Sequence, residues 1–167
     1  MTTDRYIEPL WERMCSGIDH GSCAMPVRPC DGSDIEKLAS LAHAAFEDTV
    51  DHEPLELWTR KISSIINGKY GTFLPTASFM ADATAGQLAG VVLATNFLFY
   101  QGPVIALIAV HPCAQGAGLG TYLWRSCVNA LSIEGFTVCR ARVSPGNDVS
   151  KRLFQCNAFV LRELWVG

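Results

Sequence analysis

The sequence predicts a single α/β domain, and three observations carry this prediction. Residues 104–110 form an apolar, β-branched run that leads through a glycine-rich turn into a segment with helical periodicity, residues 121–134. This is the pattern of a buried strand, a turn and a helix. Strand-like and helix-like segments follow one another from Val27 onward, and no repeat or long linker divides the 167 residues. A chain of this length suits one compact core.

The first 26 residues are the least regular part of the chain. Their apolar residues have spacings of three and four, which predict one or two helical turns: Ile7, Leu10, Trp11 and Met14. Glycines and a proline then interrupt the pattern. We therefore divide the chain into an N-terminal extension, residues 1–26, packed on the domain or forming an arm, and the domain itself, residues 27–167.

Within the domain, a short strand at 27–29 precedes a helix that Ser33 or Asp34 can cap and that runs to Phe46. Pro54 suits the first turn of a second helix, which runs to about Asn67. Two strands at 78–81 and 87–95 form a predicted hairpin, and the apolar strand, the glycine-rich turn and a third helix follow. A strand at 136–143, a short helix capped by Asn147 or Asp148, and a final strand at 158–166 complete the order.

Composition excludes several classes of protein. The 13 basic residues form no run or basic helix face, and the net charge is −3, so nucleic acid is not an expected partner. No apolar stretch approaches the roughly 20 residues of a membrane span, and the N-terminus lacks the features of a secretory signal. Seven scattered cysteines without a C-x-x-C pair predict reduced thiols and no metal site. We expect a soluble cytoplasmic protein.

The glycine-rich turn is the strongest functional signal. Its glycines leave backbone N–H groups unobstructed beside the positive end of a helix dipole, which predicts a phosphate site: Gly116, Gly118 and Gly120. A dinucleotide site would need a different glycine spacing and an acidic residue about 20 positions on, where this chain has Arg140 and Arg142. A P-loop would need a Gly-Lys-Ser/Thr sequence, which is absent here.

Residues 110–120, Val-His-Pro-Cys-Ala-Gln-Gly-Ala-Gly-Leu-Gly, resemble the acetyl-CoA pyrophosphate motif of GNAT-type N-acetyltransferases, Arg/Gln-x-x-Gly-x-Gly/Ala. Residues 27–46 look like the opening strand and first helix of that family, and residues 147–159 look like its Asn-x-x-Ala-x-x-Leu-Tyr-x-x-x-Gly-Phe segment. The resemblance covers roughly residues 27–166. It implies a GNAT-like fold, with a mixed, mostly antiparallel sheet flanked by helices and splayed between its two central strands.

The resemblance also implies an acetyl-CoA site built mainly from backbone groups. The turn would bind the pyrophosphate, the end of the apolar strand would bind the pantetheine arm, and the later segment would contact the cofactor from the next strand's end. A backbone N–H near Val110 would stabilise the oxyanion. The implied cofactor-binding residues are Ile108, Val110, Gln115, Gly116, Ala117, Gly118, Leu119, Gly120, Thr121, Asn147 and Ser150.

The acceptor side gives fewer signals. Glu53 is the candidate general base, because residues 51–55, Asp-His-Glu-Pro-Leu, are similar to the Asp-Glu-Pro-Leu motif of insect arylalkylamine N-acetyltransferases; an acidic residue at a helix start also serves the helix dipole. Phe154 stands where the family has the tyrosine that acts as general acid, and Ser150 and Ala158 replace the usual alanine and glycine. His111 is interpreted as a structural strand end.

The remaining candidate side chains have ordinary structural interpretations. Cys113 and Cys127 are taken as small buried hydrophobic residues rather than nucleophiles. Aromatic residues are candidates for the wall of an amine pocket as well as for the core: Trp58, Phe97, Phe99 and Tyr100.

The sequence therefore predicts an N-acetyltransferase that moves an acetyl group from acetyl-CoA to a primary amine of a small molecule, by direct attack in a ternary complex. One alternative is a CoA-binding regulatory module with weak or no catalysis, suggested by Phe154. A second alternative is a protein or peptide N-acetyltransferase. A homodimer fits the family, whereas nucleic acid and membrane are not expected partners.

Overall fold

The computed structural model describes residues 6–18 and 21–166; the remaining residues of the predicted extension 1–26, and Gly167, lie outside the described residues. The described chain forms a mixed sheet with helices on both faces. The strands are β1 (Tyr6–Met14), β2 (Val27–Pro29), β3 (Thr72–Phe73), β4 (Phe79–Asp82), β5 (Leu88–Phe97), β6 (Gly102–Val110), β7 (Val138–Ala141) and β8 (Val160–Val166). The helices are α1 (Ile35–Ala45), α2 (Leu55–Ile66), α3 (Leu119–Ile133) and α4 (Asp148–Cys156).

The strands lie side by side in the order β2-β4-β5-β6-β7-β1-β8, and β3 pairs with β5 beside this path. β6 and β7 form the parallel pair, and the other neighbours are antiparallel. This arrangement confirms the predicted mixed, mostly antiparallel sheet. In the part of the chain that the structure describes, no helix is long and apolar enough to span a membrane.

The helix predicted near the N-terminus is wrong, because residues Tyr6–Met14 form β1, which lies between β7 and β8. Two consecutive residues, Leu10 and Trp11, are both buried. Adjacent side chains of a strand point to opposite faces, so both are covered only in a strand that the fold encloses on both faces. Pairing with strands far along the chain, which local periodicity does not record, overrides the helical spacing.

Two clusters of buried side chains hold the helices on opposite faces of the sheet. On one face, α1 and α2 pack Leu38, Trp58 and Ile62 against Leu93 and Leu107. On the other, α3 and α4 pack their apolar faces against β5, β6 and β7. Gly90 in β5 permits the close approach of α3, since a Cβ there would lie 2.9 Å from side-chain carbons of Leu119 and Leu123.

The two central strands, β6 and β7, separate soon after they pair. Their register contains only Val104 opposite Arg140 and Ile105 opposite Ala141. Directly beyond, the register of β6 against β5 shifts so that Ala106 is the extra residue of a bulge, and a bulge bends its strand. β7 ends at Ala141, earlier than the predicted 143. The predicted splay is confirmed, and it begins at this bulge.

Candidate functional site

A cavity of about 340 Å³ occupies the gap between β6 and the chain that follows β7. Residues 105–108 form one wall, and residues 142–144 form the other. The cavity reaches side chains of α2 on one face of the sheet and of α4 on the other. The splay therefore opens a passage between the two faces, in which groups bound from opposite sides can meet.

The glycine-rich turn lies exposed at the start of α3, next to the end of β6. Gly116 and Gly118 have φ angles of 83° and 81°, a region that residues with a Cβ rarely adopt. The Tyr122 N–H donates to the Gly118 carbonyl at 3.0 Å, so the N–H groups of the preceding helical residues have no carbonyl within the helix. The turn thus has the exposed N–H groups and the positive helix dipole of an anion site.

The edge of β6 beside the gap presents backbone donors. The His111 N–H donates to the Ala89 carbonyl at 2.8 Å and so points toward β5. Backbone groups alternate in direction along an antiparallel strand, so the N–H groups of Ile108 and Val110 point toward the gap. The Gln115 side chain donates from Nε2 to the Val110 carbonyl at 3.1 Å. This bond ties the glycine-rich turn to the strand edge.

His111 and Cys127 have structural environments, whereas Cys113 is exposed, so its interpretation as a small buried residue is wrong. His111 Nδ1 accepts a hydrogen bond from the Cys113 N–H at 3.1 Å, which ends the strand in a capped turn. Burial raises the pKa of the Cys127 thiol, so this thiol stays neutral. A hydrogen bond with Cys15 and burial raise the pKa of Cys139. Within residues 6–18 and 21–166, no group of three or more His, Cys, Asp and Glu side chains is arranged to hold a metal ion.

Asn147 is the N-cap of α4, one of the two positions that the sequence suggested. Its Oδ1 accepts from the Ser150 N–H at 3.1 Å, and its Nδ2 donates to Asp51 Oδ2 at 2.6 Å. The side chain is buried, and the cavity wall includes Asn147 and Ser150. Both ends of the amide therefore bind the protein, so Asn147 positions the start of α4 beside the gap.

The carboxylates of the acidic loop before α2 lie in different environments. Glu53, the predicted base, forms an ion pair with Lys61, in which Oε1 and Nζ lie 2.7 Å apart. Lys61 and Asp51 line the cavity, whereas Glu53 lies behind Lys61, outside the lining. Sequence reasoning missed Asp51 because its partner Asn147 is 96 residues away. The available signals were the run of acidic residues in the loop and the motif-like stretch of residues 51–55, in which only Glu53 was given a role.

Aromatic side chains form much of the remaining cavity wall. Trp58 stacks on Phe46 with ring centroids 5.1 Å apart, and Phe97 meets Tyr100 edge to face at 5.0 Å. All four line the cavity, whereas the candidate Phe99 packs behind them on Phe97 and Tyr100. Burial, together with the nearby Glu8 carboxylate, raises the pKa of Tyr100.

Phe154 extends from α4 to the cavity wall, although almost all of its side chain is buried. Its ring packs edge to face on Phe159 at 4.8 Å. At this position the side chain contributes apolar surface and no proton donor.

Comparisons with known proteins agree on one family. The family model described as Acetyltransferase (GNAT) family matches residues 35–159. No curated protein sequence matches the chain significantly.

Solved structures share the fold at low sequence identity. A GNAT family acetyltransferase from Brucella melitensis, in complex with acetyl-CoA, is 20% identical with a TM-score of 0.61, over 86% of this chain and 88% of that one. The PaiA N-acetyltransferase from Thermoplasma acidophilum, in complex with coenzyme A, is 16% identical with a TM-score of 0.63, over 86% and 99%. AAC(6')-Iy, in complex with the bisubstrate analogue CoA-S-monomethyl-acetylneamine, is 17% identical with a TM-score of 0.59, over 83% and 92%.

Proposed function

Because this chain belongs to the acetyltransferase (GNAT) family, we propose that it transfers an acetyl group from acetyl-CoA to a primary amine of a small molecule. The observation that carries the proposal is the gap between β6 and β7, which opens beside the exposed glycine-rich turn. The cavity of about 340 Å³ is at the lower end of the roughly 300–1,000 Å³ range of small-molecule sites. This size supports a small acceptor.

In this proposal the main chain holds the donor. The backbone N–H groups of the segment from Gln115 to Thr121, which includes Ala117 and Leu119, bind the pyrophosphate at the start of α3. The N–H groups of Ile108 and Val110 bind the pantetheine arm and the thioester along the open edge of β6. Asn147 and Ser150 contribute by fixing the start of α4 at the far wall of the gap, rather than through the Asn147 amide itself.

The proposed reaction is direct attack in a ternary complex. The neutral amine forms the new C–N bond at the thioester carbonyl carbon, and the C–S bond breaks. The Val110 N–H donates to the developing oxyanion. Glu53, after it releases Lys61, takes through water the proton that the ammonium loses before the attack, and the nitrogen releases its second proton to solvent after the attack. The departing thiolate takes its proton from solvent, since Phe154 has none to give.

Calorimetry with CoA and acetyl-CoA, followed by an amine panel scored by CoA release, tests the proposal. We expect binding at micromolar concentration and turnover with at least one small primary amine. Absence of binding at high micromolar concentration would refute the proposal. Binding without turnover on any amine or peptide would favour the alternative of a regulatory CoA-binding module, for which Phe154 is the supporting observation.

The role of Glu53 has a separate test. Glu53→Gln removes the base and keeps the shape of the side chain, so kcat is expected to fall at least about tenfold and its dependence on pH is expected to change. An unchanged pH-rate profile would exclude Glu53. Glu56→Gln, three residues further on in the first turn of α2, is the matched control.

A further inference from the structure

We propose that Asp51 binds the ammonium group of the acceptor, and that the acceptor is a monoamine whose other end is apolar. This inference rests on the proposed function, because it assigns the acceptor half of the same cavity. It adds a residue that the sequence did not single out and a class of substrate that the family alone does not specify.

Charge in the cavity wall is the first argument. Two cations line the cavity, and each has a carboxylate partner at 2.7 Å: Lys61 pairs with Glu53, and Arg142 pairs with Glu8. Asp51 also lines the cavity, but it forms no ion pair with any described residue. Its partner is a neutral amide. The wall therefore carries one uncompensated negative charge, which suits one bound cation.

Geometry is the second argument. Asp51 Oδ2 accepts from Asn147 Nδ2 at 2.6 Å, and the Asp51 N–H donates to Thr49 Oγ1 at 3.1 Å. Among the described residues, Asp51 Oδ1 has no hydrogen-bond partner, so it can accept from a ligand. The carboxylate is thus fixed in place with one oxygen available. Because Asn147 caps α4 beside the gap, a cation on Asp51 lies near the proposed thioester site.

The remaining side chains of the cavity wall indicate the chemistry of the other end of the acceptor. Aromatic rings surround the cavity and offer apolar surface and ring contacts: Phe46, Trp58, Tyr70, Phe97 and Tyr100. A second ammonium group on the acceptor would lie against these rings or against Lys61. It would lose hydration and would gain no carboxylate partner. A carboxylate next to the amine would meet the like charge of Asp51. Polycations and amino acids are therefore disfavoured.

Asp51→Asn is the test variant, because the amide keeps an oxygen for Asn147 and removes only the charge. Asp48→Asn is the matched control, since Asp48 is an exposed carboxylate of the same loop. The probes are 2-phenylethylamine, 2-phenylethanol, spermidine and neamine. Each is titrated calorimetrically into the protein with and without CoA, and the amines are also assayed for CoA release.

The wild-type protein is expected to bind 2-phenylethylamine at least about tenfold more tightly than 2-phenylethanol, spermidine or neamine. Asp51→Asn is expected to weaken binding of 2-phenylethylamine, and to raise its KM, at least about tenfold, with kcat changed less than KM. It should leave 2-phenylethanol binding and CoA binding unchanged. Asp48→Asn should behave as the wild type.

Equal affinities of the wild type and of Asp51→Asn for 2-phenylethylamine would overturn the role of Asp51. Tighter binding of spermidine or neamine than of 2-phenylethylamine would overturn the monoamine assignment. Either result together with acetyl transfer to another amine would leave the proposed function intact. If CoA does not bind, the proposed function fails, and the amine titrations without CoA still decide the role of Asp51.

Discussion

The two halves of the proposed site, the donor half and the acceptor half, are built from different parts of the polypeptide. The donor half consists of backbone groups, in the glycine-rich turn and along the edge of β6. The acceptor half consists of side chains, among them Asp51, Trp58 and Tyr100. The donor half is exposed and adds no charged side chain in residues 115–121, whereas the acceptor half is aromatic and carries ion pairs.

This difference separates residues that should control cofactor binding from residues that should control the stability of the fold. Side chains of the acceptor half also belong to the core: Trp58 is buried and packs with Leu38 and Ile62. A Cβ atom added at Gly116 or Gly118 would contact nothing, because the space beside both glycines is open. Substitutions at buried aromatic residues of the acceptor half should therefore weaken the fold, and those in the donor half should weaken cofactor binding while the fold persists.

Trp58→Ala should have the largest effect. It removes a buried ring that stacks on Phe46, and such truncations cost about 3–5 kcal/mol of the free energy of unfolding. Urea denaturation measures the loss. Trp58→Phe, which keeps a ring in the stack, is the control and should retain most of the stability. A loss below about 1 kcal/mol for Trp58→Ala would show that the acceptor wall is not part of the core.

Gly118→Val should raise the Kd for CoA at least about tenfold, or about 1.4 kcal/mol. A β-branched residue is unfavourable at a φ angle of 81°, and it would crowd the N–H groups at the start of α3. Gly135→Val is the matched control, because Gly135 follows the other end of the same helix with a φ angle of 91° and equally open space. Calorimetry should show CoA affinity lost only in Gly118→Val. Equal losses would attribute the effect to helix stability.

Gln115→Ala should weaken CoA binding by about two- to fivefold, the effect of one exposed hydrogen bond. The substitution breaks the bond between Gln115 Nε2 and the Val110 carbonyl and so loosens the turn against the strand edge. Gln101→Ala, in the turn between β5 and β6, is the comparison and should leave the Kd for CoA unchanged. An unchanged Kd for Gln115→Ala would mean that the glycine backbone alone orders the turn.

Tyr100 should show the smallest effect, a change confined to alkaline pH. Its pKa is raised, mainly by burial, so the folded state holds the phenol proton more tightly than the unfolded state does. This contribution to stability is complete below about pH 10, the pKa of an unperturbed tyrosine, and is lost as pH rises through the raised pKa. Phenolate absorbance of the wild type minus Tyr100→Phe should therefore titrate above about pH 10. A midpoint at or below that value would contradict the burial of the hydroxyl.

The sequence by itself determined the order of elements from β2 to β8 except for the short strand β3, the family, and the location of the glycine-rich turn. These features are local, because glycine spacing fixes where backbone N–H groups are exposed and apolar periodicity fixes which segments form helices or strands. His111 and Asn147 were also interpreted correctly as a strand end and a helix cap, since caps depend on residues a few positions away.

The tertiary structure alone decided the place of β1 between β7 and β8, the bulge at Ala106 that starts the splay, and the surroundings of Glu53 and Asp51. Each depends on contacts between segments far apart in the chain, such as the pair of Asp51 and Asn147, separated by 96 residues. Local patterns do not encode such distances. The glycine-rich turn was therefore predictable, because consecutive residues build it. Three aromatic residues of the acceptor half, Trp58, Phe97 and Tyr100, were also among the candidates for the pocket wall. The surroundings of its charged side chains were not predictable, because packing brings these side chains together.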